Sequence, residues 1–160
     1  MENKKQEIKE TLSRILKEKS VIVGVGNILR GDDAFGPLLI EKIKDKVGML
    51  CIDAGTAPEN YLGKIVKEKP EAVLIVDAAA LDLASGEYDI LKKDDIVKSG
   101  FTTHDLSPVL FIEYLENETD ADIYMLAVQP ETTAFGEEVS TNMAKALDEI
   151  SQLIEEMYNA

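Results

Sequence analysis

The sequence is short of cysteine and histidine, and it has no long apolar run. Cys51 is its one cysteine and His104 its one histidine. A single cysteine excludes an intrachain disulfide and fits a reducing compartment. No apolar run approaches the roughly 20 residues that span a membrane. The mixed-charge N-terminus also lacks the apolar core of a signal peptide. We therefore expect a cytoplasmic protein without membrane insertion, in which any histidine chemistry must use His104.

Basic residues are scarce relative to acidic ones. The chain carries 31 acidic and 17 basic residues, which gives a formal net charge of −14. Such a charge repels nucleic acid phosphates, so we expect no nucleic-acid partner, and it keeps a protein soluble. The length of 160 residues suits one domain with a sizeable core. We predict a single domain over residues 1–160, with an N-terminal helix in residues 1–19 that precedes the core.

Hydrophobic periodicity predicts strands and helices in alternation. The predicted strands cover residues 21–26, 49–53, 72–77 and 123–128, with a short edge strand at YDIL, residues 88–91. The predicted helices cover residues 4–19, a stretch from about 35, a stretch from 58 to about 67, a turn at KKDDIV, a stretch that starts at 107, and residues 139–157. This alternation indicates an α/β fold, a three-layer sandwich whose twisted, mostly parallel sheet is flanked by helices on both faces, as in phosphorylase/hydrolase-like folds. The carboxyl ends of the parallel strands then share one edge, where ligands bind.

Three helix predictions are more detailed. The first helix should bury one apolar stripe: Ile8, Leu12, Ile15 and Leu16. Thr56 is predicted to cap the helix that begins near Pro58. Ser107 and Pro108 predict a helix start, and four apolar or aromatic residues follow it: Leu110, Phe111, Tyr114 and Leu115.

The stretch GVGNILRGDDAFGP, residues 24–37, follows the first strand as a phosphate-binding turn would. Gly24 and Gly26 match the start of the dinucleotide fingerprint, but Leu29 stands at its third position and Gly31 comes two residues late. The mismatch weakens the dinucleotide interpretation.

Charge weakens it further. Asp32 and Asp33 fall near the start of the next helix, where they would repel a pyrophosphate. The chain also lacks the GK[ST] of a P-loop and the GxSxG of a nucleophile elbow. Cys51 lies inside a predicted strand, where a buried and inert thiol is typical. Nucleotide binding and nucleophilic catalysis are therefore both disfavoured.

Two aspartates and the histidine indicate a different kind of site. Asp33 follows the first strand, Asp77 ends the third, and His104 lies in a loop before a helix. The two acids reach the same sheet edge, and His104 joins them if the segment 78–103 returns there. Two carboxylates and an imidazole are a common ligand set for a divalent transition metal. Structural roles remain open, because Asp77 could be a cap and His104 a surface residue.

At these residues the sequence resembles the [NiFe]-hydrogenase maturation endopeptidases, most closely their hydrogenase 3 (HycI) type. The matching motifs are VGNILRGDDAFGP, AGTAPEN, LIVDAA, TTHDLSP and AVQPE, in family order and spacing over roughly residues 20–155. The resemblance implies the fold already predicted. It also implies an aspartic-type endopeptidase that removes a C-terminal extension from the hydrogenase large-subunit precursor, after nickel insertion, and so acts as an activator of that enzyme.

The resemblance assigns the metal contacts to Asp33, Asp77 and His104, with Asp33 and Asp77 as the catalytic carboxylates. The nickel would be carried by the substrate, so the free enzyme would need no metal of its own, although other divalent ions could occupy the site. Asp105 is commonly an amide in relatives, which affects the local charge. The implied partner is the precursor, and we expect a monomer. A non-catalytic nickel-binding module or metal carrier remains the alternative, since the same three residues would serve it.

Several further residues are expected to support the site. The glycines would permit close backbone approach and positive φ, the asparagine would hydrogen-bond the loop or the substrate backbone, and the threonine would orient the histidine. Asp32 is expected to cap or orient the loop rather than to contact metal. The supporting set is Gly24, Gly26, Asn27, Gly31, Asp32 and Thr103. A purely architectural role is open for all of them.

Overall fold

In the computed structural model, which describes residues 2–16, 18–99 and 107–159, five strands form one sheet. The strands are Ser20–Val25 (β1), Leu50–Gly55 (β2), Ala72–Ala78 (β3), Tyr88–Leu91 (β4) and Asp122–Val128 (β5). Their order is β2-β1-β3-β5-β4, and all neighbours are parallel except β4 and β5. The mostly parallel sheet and its short edge strand are therefore confirmed.

The helices of the described ranges lie on both faces of this sheet. They are Glu2–Ile15 (α1), Phe35–Ile43 (α2), Leu62–Glu68 (α3), Lys93–Ser99 (α4), Pro108–Glu118 (α5) and Thr141–Asn159 (α6). Short 3-10 helices at Gly31–Ala34 and Pro58–Tyr61 lead into α2 and α3. Across the described part of the chain, no helix combines the length and apolar character needed to cross a membrane.

Two apolar clusters fill the space between the sheet and its helices. Successive side chains of a strand point to opposite faces, so Leu74 and Val76 of β3 join one cluster while Val73 and Ile75 join the other. The first cluster packs against α1, α2 and α6, and the second packs against α3, α4 and α5. Every residue of β3 is buried, as expected of a central parallel strand. The predicted three layers are therefore present.

The N-terminal helix packs on the C-terminal one. Its predicted stripe is buried in full: Ile8, Leu12, Ile15 and Leu16. The facing stripe of α6 is also buried: Met143, Leu147, Ile150 and Ile154. Helix α1 ends at Ile15, earlier than the predicted residue 19. Both helices thus belong to the core layer on this face.

The structure adds the buried face of α5 and corrects the predicted cap of α3. On α5, Phe111, Ile112 and Leu115 are buried against the sheet, while Leu110 and Tyr114 are exposed. Thr56 is not a cap, because the chain enters α3 through the 3-10 helix, and no side-chain cap bond is made there.

Candidate functional site

The candidate site lies where the strand order reverses. The chain leaves β1 towards β2 on one side, and the neighbour of β1 on the other side is β3, which leads on towards β5 and β4. In open α/β sheets, ligands bind in the crevice beyond the carboxyl ends of the strands at such a switch point. Asp33 follows β1, and Asp77 is the penultimate residue of β3. The structure therefore brings both predicted carboxylates to the two sides of this crevice.

Close backbone packing holds the start of α2 against both strand ends. A Cβ atom added to Gly36 would lie 2.3 Å from the carbonyl oxygen of Val25 and 2.6 Å from that of Val76. Any side chain at this position would separate the helix from the strands. The 3-10 helix that contains Asp33 also contacts β3. Since Asp77 follows Val76 directly, the helix that carries Asp33 packs against the end of the strand that carries Asp77.

Both candidate carboxylates are enclosed. Asp33 is 1% exposed and Asp77 is 2% exposed. The backbone N–H of Asn27 donates a hydrogen bond to Oδ2 of Asp33 at 3.1 Å, which fixes the orientation of that carboxylate. Aspartate is rarely buried, because removing its charge from water costs several kcal/mol unless partners compensate. Two buried aspartates beside a ligand-binding crevice are therefore better explained by function than by solubility.

Asp32 joins two loops through its hydrogen bonds. Its carboxylate accepts hydrogen bonds from the backbone N–H groups of Glu131 at 2.8 Å, Thr132 at 3.3 Å and Ser140 at 2.7 Å, and from the Ser140 hydroxyl at 2.8 Å. Its own N–H donates to the carbonyl oxygen of Thr132 at 2.8 Å. The loop after β1 is thereby tied to the loop after β5, which is the geometry that a loop-supporting residue requires.

Backbone geometry explains the glycines of this loop. Gly26 and Gly31 have φ angles of 151° and 53°, which other residues adopt only with strain. A Cβ atom on Gly31 would also lie 2.7 Å from the carbonyl oxygen of Thr132. Gly24 instead permits close approach, since its Cβ atom would lie 2.4 Å from the carbonyl oxygen of Gly36.

The asparagine of the loop stabilises a turn. Oδ1 of Asn27 accepts the N–H of Leu29 at 2.8 Å, and the carbonyl oxygen of Asn27 accepts the N–H of Arg30 at 3.1 Å. The N–H of Asn27 also donates to Asp33, so Asn27 makes hydrogen bonds within the loop through its N–H, its carbonyl oxygen and its side-chain oxygen. This matches the first of its two predicted roles and leaves a contact with substrate backbone as a prediction.

The histidine part of the predicted site lies outside the described residues. His104 and Thr103, together with Thr102 and Asp105, fall between Ser99 and Ser107 in the chain. Their predicted roles stay predictions. In the ranges that the structure describes, no group of three or more His, Cys, Asp or Glu side chains is placed to hold a metal ion.

Cys51 does not join the candidate site. It lies in β2 and is half-buried, and burial raises the pKa of its thiol to about 11. A thiol that stays protonated at neutral pH is a poor nucleophile. Its position inside a strand is as predicted, but the thiol is half-buried rather than buried, and its inertness stays a prediction.

The loop after β5 contributes site residues that the sequence reasoning did not assign. Ser140 holds Asp32, and Oε1 of Gln129 accepts the N–H groups of Leu81 at 2.6 Å and Leu83 at 3.3 Å. The loops after β1, β3 and β5 are thus cross-linked by side chains. The sequence did contain one indication of this loop: the segment AVQPE follows a predicted parallel strand, so it must reach the carboxyl edge of the sheet.

A separate cavity of about 390 Å³ lies at the start of β5, and its lining includes Lys92, Glu116 and Tyr124. Because β5 is parallel to β3, this cavity is at the opposite edge of the sheet from Asp77. It is therefore unrelated to the buried carboxylates.

Comparison with known proteins agrees with this geometry. The family model of HycI, a hydrogenase maturation protease, matches residues 37–157. A candidate hydrogenase maturation protease of Methanocaldococcus jannaschii is 34% identical over an alignment that covers 94% of this chain and 98% of the relative. The hydrogenase 3 maturation protease of Escherichia coli K12 is 34% identical over 138 residues, which cover 84% of this chain and 88% of the relative.

A solved structure shows the same fold over almost the whole chain. The [NiFe] hydrogenase maturation protease HycI from Thermococcus kodakarensis superposes with a TM-score of 0.86 at 33% identity, covering 94% of this chain and 99% of that one. The range matched by the family model includes Asp77 and His104 and begins shortly after Asp33. The chain therefore belongs to the HycI family of hydrogenase maturation proteases.

Proposed function

We propose that this protein is an endopeptidase that removes the C-terminal extension of the nickel-loaded [NiFe]-hydrogenase large-subunit precursor. The observation that carries the proposal is the pair of buried carboxylates, Asp33 and Asp77, at the switch point of a chain that belongs to a protease family. A relative from Escherichia coli is named as the hydrogenase 3 maturation protease, which supports a hydrogenase precursor as substrate.

The proposed chemistry is hydrolysis of one peptide bond by carboxylate-assisted attack of water. Water adds to the carbonyl carbon while a carboxylate removes one of its protons, and the C–N bond then breaks as the leaving amine takes up a proton. We assign the base to Asp33, because it lies on the loop above the strands and its carboxylate is oriented by the N–H of Asn27. Asp77, on the other side of the crevice, is the second carboxylate. This is the aspartic-type assignment.

In this proposal the nickel is part of the substrate. Asp33 and Asp77, with His104 as the third residue, contact the nickel that the precursor already holds, and the nickel helps to polarise the carbonyl group. Contacts made only with the loaded precursor add affinity for that form alone. Cleavage then depends on prior metal insertion, and a resident metal cofactor is not needed. The cytoplasmic location and the monomeric state remain expectations from the sequence.

The test compares two forms of one precursor. The protein is incubated with nickel-loaded and nickel-free precursor, and intact mass spectrometry follows the C-terminus. We expect the loaded form to lose its extension and the nickel-free form to stay intact. Equal cleavage of both forms would contradict the nickel requirement but leave the peptidase assignment standing.

The metal-carrier alternative makes the opposite prediction. A carrier would bind free nickel tightly in calorimetry and release no peptide from either form of the precursor. No feature of the described residues favours a carrier, and the relatives reported above are named as maturation proteases.

A further inference from the structure

Three large apolar side chains are exposed on the two loops that flank the candidate site. Ile28 is 65% exposed, Leu29 is 56% exposed and Phe135 is 71% exposed. Ile28 and Leu29 follow Asn27 directly, the residue whose N–H is bonded to Asp33. We call the three side chains the tip surface.

Hydrogen bonds hold the two loops of the tip surface together. The N–H of Gly136 donates to the carbonyl oxygen of Leu29 at 2.8 Å, so Phe135 and Leu29 are neighbours in space. The Asp32 carboxylate adds its bonds to Glu131, Thr132 and Ser140 beside them. These hydrogen bonds between the two loops hold the backbone of the tip surface in place before a partner binds. Preorganisation of this kind lowers the entropic cost of association.

The tip surface groups three of the eight large hydrophobic side chains that are exposed in the described residues. The chain has a net charge of −14, and its two apolar clusters bury most of its large aliphatic side chains. Clustered exposed apolar residues on an otherwise charged surface mark sites of protein contact. A phenylalanine next to aliphatic neighbours is also typical of the residues that dominate interface energetics.

We propose that the tip surface is the docking surface for an apolar patch of the precursor next to its cleavable extension. This inference rests on the proposed function, which makes the partner a protein whose chain must reach Asp33. Ile28 and Leu29 belong to the loop that carries Asp33, so the tip surface adjoins the candidate site at which the precursor would bind. Docking there raises the affinity for the precursor and takes no part in bond cleavage.

The test replaces the tip surface without touching the carboxylates. The variant Leu29→Ser/Phe135→Ser is compared with Tyr114→Ser, a control whose aromatic ring is 46% exposed on α5, a helix that carries no residue of the tip surface. Initial rates on nickel-loaded precursor give KM and kcat, and thermal melts check folding. We expect KM to rise about 10- to 100-fold for the tip variant, since a few apolar anchors carry most of an interface's energy. We expect kcat and the melting temperature to stay unchanged, and the control to match the wild type.

A binding arm separates this inference from the proposed function. Affinity for the loaded precursor is measured in the Asp33→Asn background, with and without the tip substitutions, so that cleavage plays no part. Weaker binding with the tip substitutions supports the docking surface, even if the wild type cleaves nothing and the proposed function fails. Equal affinity and equal KM overturn the docking surface, even if processing is normal. A wild-type dimer in sedimentation that the tip substitutions dissociate would also overturn it, because the surface would then be covered by a second copy.

Discussion

The loops at the carboxyl edge of the sheet and the helix pair α1–α6 are stabilised in different ways. At the loop edge, buried aspartates bond to backbone N–H groups, and glycines allow the chain segments to approach closely. Between α1 and α6, apolar stripes meet, and charges occur only at the exposed rim, as in the Lys9–Glu156 ion pair. One region places buried charge at a crevice, and the other contributes burial of apolar surface.

This difference between the two regions predicts which substitutions should affect function and which should affect stability. Burying a carboxylate costs free energy, so natural sequences retain it where chemistry or loop geometry requires it. Burying an apolar stripe gains about 25 cal/mol per Å² of surface removed from water. Substitutions at the edge should therefore affect processing, and those in the helix pair should affect stability alone. Asp32 is the informative intermediate, since it belongs to the edge but bonds only to loop atoms.

The largest expected effect comes from Asp33→Asn. The change keeps the shape of the side chain and an oxygen for the N–H of Asn27, but it removes the base. We expect processing of the loaded precursor to slow about 10³-fold, within the range typical of general-base catalysis, with little change in melting temperature. Rates from intact mass and a thermal melt measure both quantities. Asp148→Asn, an exposed aspartate of α6, is the control. A near wild-type rate for Asp33→Asn would remove Asp33 from the mechanism.

Asp32→Ala should lower both the processing rate and the free energy of unfolding, so it lies between the two classes of substitution. Four donors on the loop after β5 lose their acceptor, and part of that loss is recovered by water because the loop is partly exposed. We expect the free energy of unfolding to fall by about 3 kcal/mol, measured by urea titration, and processing to slow as the loops separate. Asp32→Asn keeps one acceptor oxygen and should lie between the alanine variant and the wild type. Full stability in Asp32→Ala would show that these bonds contribute nothing net.

Leu12→Ala should lower stability and leave catalysis unchanged. Leu12 is fully buried between α1 and the sheet, so truncation leaves a cavity. We expect unfolding to become easier by roughly 2 to 3 kcal/mol, with kcat unaltered at 25 °C, where the protein stays folded. Glu10→Ala on the exposed side of the same helix is the matched control. A clear fall in kcat at 25 °C would mean that the helix pair is coupled to the loop edge, and it would contradict the separation of function from stability.

The sequence predicted most of the elements, because periodicity records which face is buried. The stripe of α1 and the continuous apolar run of β3 are cases in which the pattern alone determines the packing. On α5, several apolar residues were available and periodicity did not decide which face would meet the sheet, and the structure leaves Leu110 and Tyr114 exposed.

The candidate site was predictable only in part. The rule that parallel strands share a carboxyl edge brings Asp33 and Asp77 together without any structure. The partners of Asp32 were not predictable, because they lie about 100 positions further along the chain in a loop that has no periodic pattern. The exposure of Ile28 and Leu29 was also hidden, since apolar residues in a loop give no sign of whether they are covered. His104 remains a prediction from the sequence.

The smallest expected effect tests whether charge matters in the helix pair at all. Nζ of Lys9 lies 3.1 Å from Oε2 of Glu156, and the two side chains are 40% and 57% exposed. Solvent screens such a pair, and ordering two long side chains offsets its attraction, so we expect Lys9→Ala to change the free energy of unfolding by less than about 0.5 kcal/mol. A double-mutant cycle with Glu156→Ala isolates the pair, and 1 M salt should abolish what coupling there is. A coupling above about 1 kcal/mol would mean that the helix pair, like the loop edge, depends on specific polar contacts, and the contrast between the two regions would then be one of degree.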